Sequence, residues 1–304
     1  MIVRDKANSF KLLFAWHGTI LPKVVPALAI VVLISASLVY LNARHYVNMP
    51  EVPAIGFTIF GVILSIFLSF RNTACYDRWW EGRKLWGALI AQTRHICRDS
   101  HVLPETSRQL MMLRVMQFSA LLRDRLRKQD MHLSQTQVAL GLNDQQWHKL
   151  QNHFNAPQYL LELVQQDLAN LYQQGTISDI IYQTISQHVV ALGDIHAGCD
   201  RISSTPLPFS YSVLLHRAVY SFCFILPFSL ATSLGVWTPI IVALIAYLFL
   251  GLDALSAELE EPFGVQENDL ALDAIVRGVE REMLSSLDLE LPPPVSATAK
   301  GNLL

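Results

Sequence analysis

The sequence predicts an all-α membrane protein with four transmembrane helices and a helical cytosolic domain between the second and third. Three observations predict it. The chain is poor in charge: 52% of its 304 residues are hydrophobic and 16% charged, where a soluble domain carries about 25% charged residues. Its mean hydropathy is +0.31. The apolar residues gather into long uncharged runs, and the polar remainder has helical periodicity. This composition excludes a disordered chain. A formal net charge of −2 excludes a nucleic-acid binder driven by charge. Cys75, Cys97, Cys199 and Cys223 have no C-x-x-C spacing and read as reduced thiols.

Residues 1–23 form a cytosolic N-terminal segment carrying Arg4, Lys6, Lys11 and Lys23. Residues 24–70 hold spans one and two. The run 24–41 has 18 residues without a charge and the run 52–70 has 19, and 18 or more suffice to nominate a spanning helix. Ser35-Ala36-Ser37 resembles a cleavage site, but the apolar run is longer than a signal core and further spans follow. Residues 218–252 are 35 residues without a charge. They read as spans three and four, joined by a tight turn at Gly235-Val236-Trp237. Buried helices of a soluble protein are the alternative, and so much apolar surface would be hard to keep dispersed in water.

Lys and Arg set the orientation. The loop 42–51 carries only Arg44 and the Gly235 turn carries none, whereas Arg71, Arg78, Arg83 and Lys84 follow the second span. Both termini and the middle region are therefore expected on the cytoplasmic side of the membrane.

Residues 71–217 form the helical cytosolic domain, with 15 Lys/Arg against 12 Asp/Glu. Asn155-Ala156-Pro157 starts one helix and Gly175 stops it. Ser178 caps a second, through Ile180, Ile185, Val189 and Ile195, which ends before Thr205-Pro206. Residues 253–291 form an acidic cytosolic segment, in which Asn268 is expected to cap an amphipathic helix through Leu270, Leu272, Ile275, Val276, Val279 and Met283. Residues 292–304, beginning with three prolines, read as a disordered tail.

No phosphate loop, dinucleotide motif or nucleophile elbow is present. His196 and Cys199 are the tightest metal-like pair, and two ligands do not make a site. No metal or cofactor is expected, nor an enzyme. The spans carry no ionisable residue, against an ion-coupled carrier. Within span two, Val62, Ile66 and Phe70 recur every four residues on one helical stripe. Packing or lipid contact would produce the same stripe.

The segment Arg71-Asn72-Thr73-Ala74-Cys75-Tyr76-Asp77-Arg78-Trp79-Trp80-Glu81-Gly82 resembles the signature of the bestrophin family, with Arg78-Trp79-Trp80 at its centre. Asp200-Arg201-Ile202, leading into Thr205-Pro206-Leu207-Pro208, resembles the entry to that family's third span. Glu261-Pro262-Phe263-Gly264 resembles the N-P-F-G segment after its fourth. The resemblance covers nearly the whole chain. It implies a homopentamer in the lipid bilayer around one central pore, passing small monovalent ions, with a cytosolic vestibule.

In that family a narrow neck is lined by apolar residues of the second span. Counting back from Arg78, its positions fall on Phe70, Ile66 and Val62, the stripe already found. At 1.5 Å per residue the three rings would span about 12 Å, a length suited to gating by dewetting. A second constriction, the cytosolic aperture, aligns with Ile180 beside Asp179, with Ile181 as the alternative register. Animal members pass chloride, whereas Asp179 and the acidic tail would favour cations. They bind calcium after N-P-F-G. Here Glu261 replaces the asparagine and only Glu267 and Asp269 follow closely, too few oxygens for a calcium shell. A non-conducting scaffold or sensor is the rival reading, and a membrane enzyme using His196 or Cys199 a third.

Overall fold

The computed structural model describes residues 15–46, 54–298 and 301–303. Arg4, Lys6 and Lys11, the end of the 42–51 loop, Val52 and Pro53 at the start of the second expected span, and Lys300 lie outside the described residues. Every regular element described is helical: α1 (Leu21–Ala43), α2 (Ala54–Asp99), α3 (Glu105–Leu126), α4 (Asp144–Asn152), α5 (Ala156–Gln173), α6 (Asp179–Ser204), α7 (Phe209–Leu234), α8 (Thr238–Glu260) and α9 (Leu272–Ser286). The chain forms two compact units. One gathers the described part of Arg4–Trp79 with Pro206–Glu261, the other mainly Trp80–Thr205 and Pro262–Leu304. The boundaries read from charge, 70/71, 217/218 and 252/253, concern the bilayer surface, whereas these concern packing.

Among the described residues, three helical stretches are long and apolar enough to cross a membrane: Leu21–Ala43, Ile55–Val102 and Phe209–Glu260. The last is two helices, α7 and α8, joined by a 3-10 turn at Gly235–Trp237 and packed on each other. Gly235 has φ +50°, a left-handed conformation that glycine adopts without strain. Pro22 sits in the first turn of α1, where its missing N–H costs nothing. That helix ends in a Schellman pair, His45 N–H to Asn42 and Tyr46 N–H to Leu41, with His45 at φ +54°. The core joins Val24 and Val31 of α1 and Leu64 and Leu68 of α2. Val219 and Phe222 of α7 meet Val242 and Phe249 of α8 there. Phe222 meets Phe60 and Phe249 with ring centroids 5.8 and 5.0 Å apart. The outer faces stay apolar: Leu33, Ile55 and Leu244 are each more than 60% exposed. A continuous apolar surface of this kind suits lipid or another subunit, not water.

The polar unit is organised around α3. From Met111 to Leu122 every side chain is buried, Arg114 and Gln117 included. Burial on all sides is sustained by internal partners. Arg114 donates to the Leu140 carbonyl at 2.9 Å and to Asp167 at 2.6 Å. Gln117 donates to the His132 carbonyl at 3.1 Å and accepts from Ser134 at 2.9 Å. Buried polar groups persist where they are paired this way. Asn143 and Gln146 form a capping box at α4.

The expected start of α5 at Asn155 and stop at Gly175, φ +70°, are found, as is the Ser178 cap of α6. The α9 start is corrected. Its first residue is Leu272 and its cap position is Ala271, not Asn268. The segment before it is held in a turn, with Leu270 N–H on the Pro262 carbonyl and Gln266 N–H on Asp269. Of the expected apolar face, Leu272, Val276, Val279 and Met283 are buried in α9 and Ile275 is half-buried, while Leu270, also buried, lies in the turn before it.

Candidate functional site

Two opposed faces of α2 define the site in the apolar unit. Leu64, Leu68, Arg71 and Cys75 recur at helical spacing, each less than 5% exposed. Val62, Ile66 and Phe70 lie on the far side, 55%, 49% and 64% exposed. Val62 and Leu64 differ by two residues, about 200° around the helix. Ile59, Ile63 and Phe67 are exposed as well, so the apolar surface is wider than the stripe.

Ile180 and Asp179 belong to the polar unit, in the first turn of α6. Ile180 is 71% exposed, and Ile181 is half-buried, its N–H donating to Ser178. Asp179 is exposed at the helix N-terminus, where a carboxylate is favoured by the helix dipole.

The sequence motifs converge in space. Arg78 Nε donates to the Glu260 carbonyl at 3.2 Å, joining α2 to the end of α8. Trp79 stacks on Tyr76, and Trp80 is 46% exposed. Glu81 pairs with Arg201 of the second motif. Gly82 faces Phe263 of the third: a Cβ there would sit 3.0 Å from the ring. A Cβ at position 82 would require the Phe263 ring to give way by a few tenths of an ångström.

No group of three metal-ligating side chains occurs among the described residues. Cys199 is fully buried, and burial, with Asp200 and Glu81 adding, pushes its thiol up to about 12. His196 lies edge-on to Phe118. Burial holds its imidazole below the ordinary value, Asp200 opposing and Arg125 adding.

One cluster escaped the sequence reading, because Arg71 and Asp253 each stand just outside an uncharged run. Both side chains are buried. Arg71 Nη1 donates to Asp253 Oδ1 at 2.5 Å. His216 of α7 meets Asp253 Oδ2 through Nδ1 at 2.7 Å. Lys23 of α1 pairs with Glu258 of α8 at 2.7 Å. The signal was available: a lone arginine and a lone aspartate at the ends of spans two and four.

A family model described as Bacterial/Fungal Bestrophin protein matches residues 1–285. The chain belongs to the bestrophin family. It is 36% identical over 302 residues to a voltage-dependent anion channel-forming protein of Mesorhizobium japonicum, covering 99% of this chain and 96% of that one. It is 38% identical over 291 residues to the voltage-dependent anion channel-forming protein YneE of Salmonella typhimurium, covering 95% and 94%. Among solved structures, the crystal structure of a bacterial bestrophin homolog from Klebsiella pneumoniae matches with a TM-score of 0.79 at 30% identity, covering 88% of this chain and 99% of that chain. In this bestrophin, the Asp269 carboxylate after Gly264 is 2% exposed and accepts the Gln266 N–H at 2.7 Å. It closes its own turn.

Proposed function

We propose that the chain is a passive ion channel of the bacterial inner membrane. Five copies surround a pore, each crossing the bilayer four times by α1, the first part of α2, α7 and α8, with both termini cytoplasmic. The neck is built from Val62, Ile66 and Phe70, and Ile180 with Asp179 forms a cytosolic aperture. The observation that carries this reading is the α2 stripe. Three large apolar side chains stand about half exposed or more, opposite the face that packs into the unit, in a family whose relatives are named channel-forming. Rings of such side chains gate by excluding water. The exposure of Ile180 over Ile181 favours Ile180 for the aperture. The printed names of the relatives favour monovalent anions, chloride first. One observation favours cations instead: Asp179 is exposed beside Ile180, and five carboxylates would ring the exit.

Cysteine accessibility tests the neck. Val62→Cys, Ile66→Cys and Phe70→Cys channels should be blocked by a charged thiol reagent. Phe60→Cys, on an exposed face about 120° from Ile66, should conduct as before. Equal block at Phe60 would remove the stripe from the pore. A folded protein that passes no ions at all would favour the scaffold reading.

A further inference from the structure

The Arg71–Asp253–His216 cluster sits next to the proposed neck and has a feature that plain structural pairing does not need. Arg71 follows Phe70 directly, and its side chain and that of Asp253 are 5% and 8% exposed. A buried pair of this kind holds α2 to α8 by itself. The third member is different: the His216 side chain is 56% exposed. Water reaches one side of the imidazole while Nδ1 meets the buried carboxylate. Arg71 Nε has no hydrogen-bond partner among the described residues.

We propose that Arg71, Asp253 and His216 form a proton-responsive clamp that positions the α2 stripe, with His216 as the positioning residue addressed by protons. The proposal rests on the channel reading above. Imidazole is the side chain whose ordinary titration crosses neutral pH. Protonated, His216 brings a positive charge onto Asp253 Oδ2. Neutral, it keeps one N–H for that oxygen and loses the charge. The carboxylate is buried, so salt screens the difference weakly. The proton comes from the solvent and no bond to carbon changes.

The surroundings leave His216 as the group exposed to this titration. On α7 itself it is flanked by Arg217 and by Tyr220, whose ring centroid is 4.5 Å away, with the buried thiol Cys223 further along. From α8 come Asp253, Glu258 and Glu260. The last lies 3.9 Å from Arg71 Nη2. From α2 come Arg71, the buried thiol Cys75 and Arg78, and from α1 Lys23, held by Glu258.

The test is the open probability of the purified full-length protein in planar bilayers, from about pH 5.5 to about pH 8.5, the range in which imidazole titrates. The wild type should change about fivefold or more, the lower end of ordinary coupling between sites. His216→Gln keeps an N–H for Asp253 but cannot titrate, and should be flat. Asp253→Asn fixes the sign: raising pH should move the wild type toward the Asp253→Asn behaviour. If Asp253→Asn does not fold, the His216→Gln comparison decides alone. A wild type flat in pH, or a His216→Gln channel with the wild-type profile, overturns the clamp. Absence of current from folded wild type overturns the channel reading instead.

Discussion

Gly82→Ala should lower stability, and the size of the effect can be worked from two glycines on one helix. Alanine in a helix interior is worth about 0.5–1 kcal/mol over glycine. Gly87 should show that gain, since the nearest atom to its added Cβ is the flexible end of Arg83 at 3.8 Å. At Gly82 the Cβ would meet Phe263 at 3.0 and 3.2 Å and Leu270 at 3.3 Å. Phe263 is 4% exposed and Leu270 1%, so neither can swing into solvent. Overpacking of this kind costs about 1–3 kcal/mol. The two variants should therefore differ by roughly 1–3 kcal/mol, Gly87→Ala being the more stable. At about 2–4 °C per kcal/mol, thermal unfolding in detergent should separate them by roughly 2–12 °C. Phe263→Leu, placed on Gly82→Ala, should recover part of the loss. Equal midpoints for the two alanine variants would refute the contact between the signature and the segment after α8.

Other expectations follow from the same contacts. Arg71→Met strands the Asp253 charge and should cost about 3–5 kcal/mol, whereas the double variant Arg71→Met/Asp253→Leu should recover most of it; chemical or thermal unfolding of the four proteins reads the coupling. Alanine at Val62, Ile66 and Phe70 together should raise open probability severalfold in single-channel records, because a wider neck dewets less readily. The neutral form of His196 is the one that burial favours, so its contribution to stability is complete above about pH 6.5 and declines as pH falls. Thermal midpoints measured between about pH 5 and 8 should fall on the acid side, and His196→Leu should flatten that slope. Cys199, with its thiol pushed up to about 12, should resist maleimide at neutral pH in the native protein and react once unfolded, which mass spectrometry would show.

The sequence was readable where one local rule dominates. Asn155, Gly175 and Ser178 mark the helix ends they were expected to mark, because capping is local chemistry. The uncharged runs found the apolar helices. The helices continue past them, α2 to Asp99. Helix α7 begins at Phe209, just after Pro208, and α8 runs on to Glu260. Charge marks the bilayer surface, while a helix continues until a proline or a lost partner ends it. Helix α3 gave no amphipathic signal because from Met111 to Leu122 it has no solvent face, Arg114 and Gln117 being buried on internal partners. Asn268 has the residue type of a cap, but the turn ordered by Asp269 and Pro262 delays the helix to Leu272. The stripe Val62, Ile66 and Phe70 was visible as spacing, and its exposure opposite Leu64 and Leu68 needed the packed unit. The Arg71–Asp253 pair, 182 residues apart in the chain, was beyond any local pattern.

We propose that this bestrophin conducts ions through a pore of its own. The reversal potential of the purified protein in planar bilayers across a potassium chloride gradient tests it most directly. An anion channel gives a steady current whose reversal potential moves toward the chloride equilibrium value. A shift toward the potassium value would keep the channel and assign its selectivity to Asp179 and the acidic tail. No current above the bare bilayer, from protein shown to be folded and pentameric, would rule out conduction by this chain.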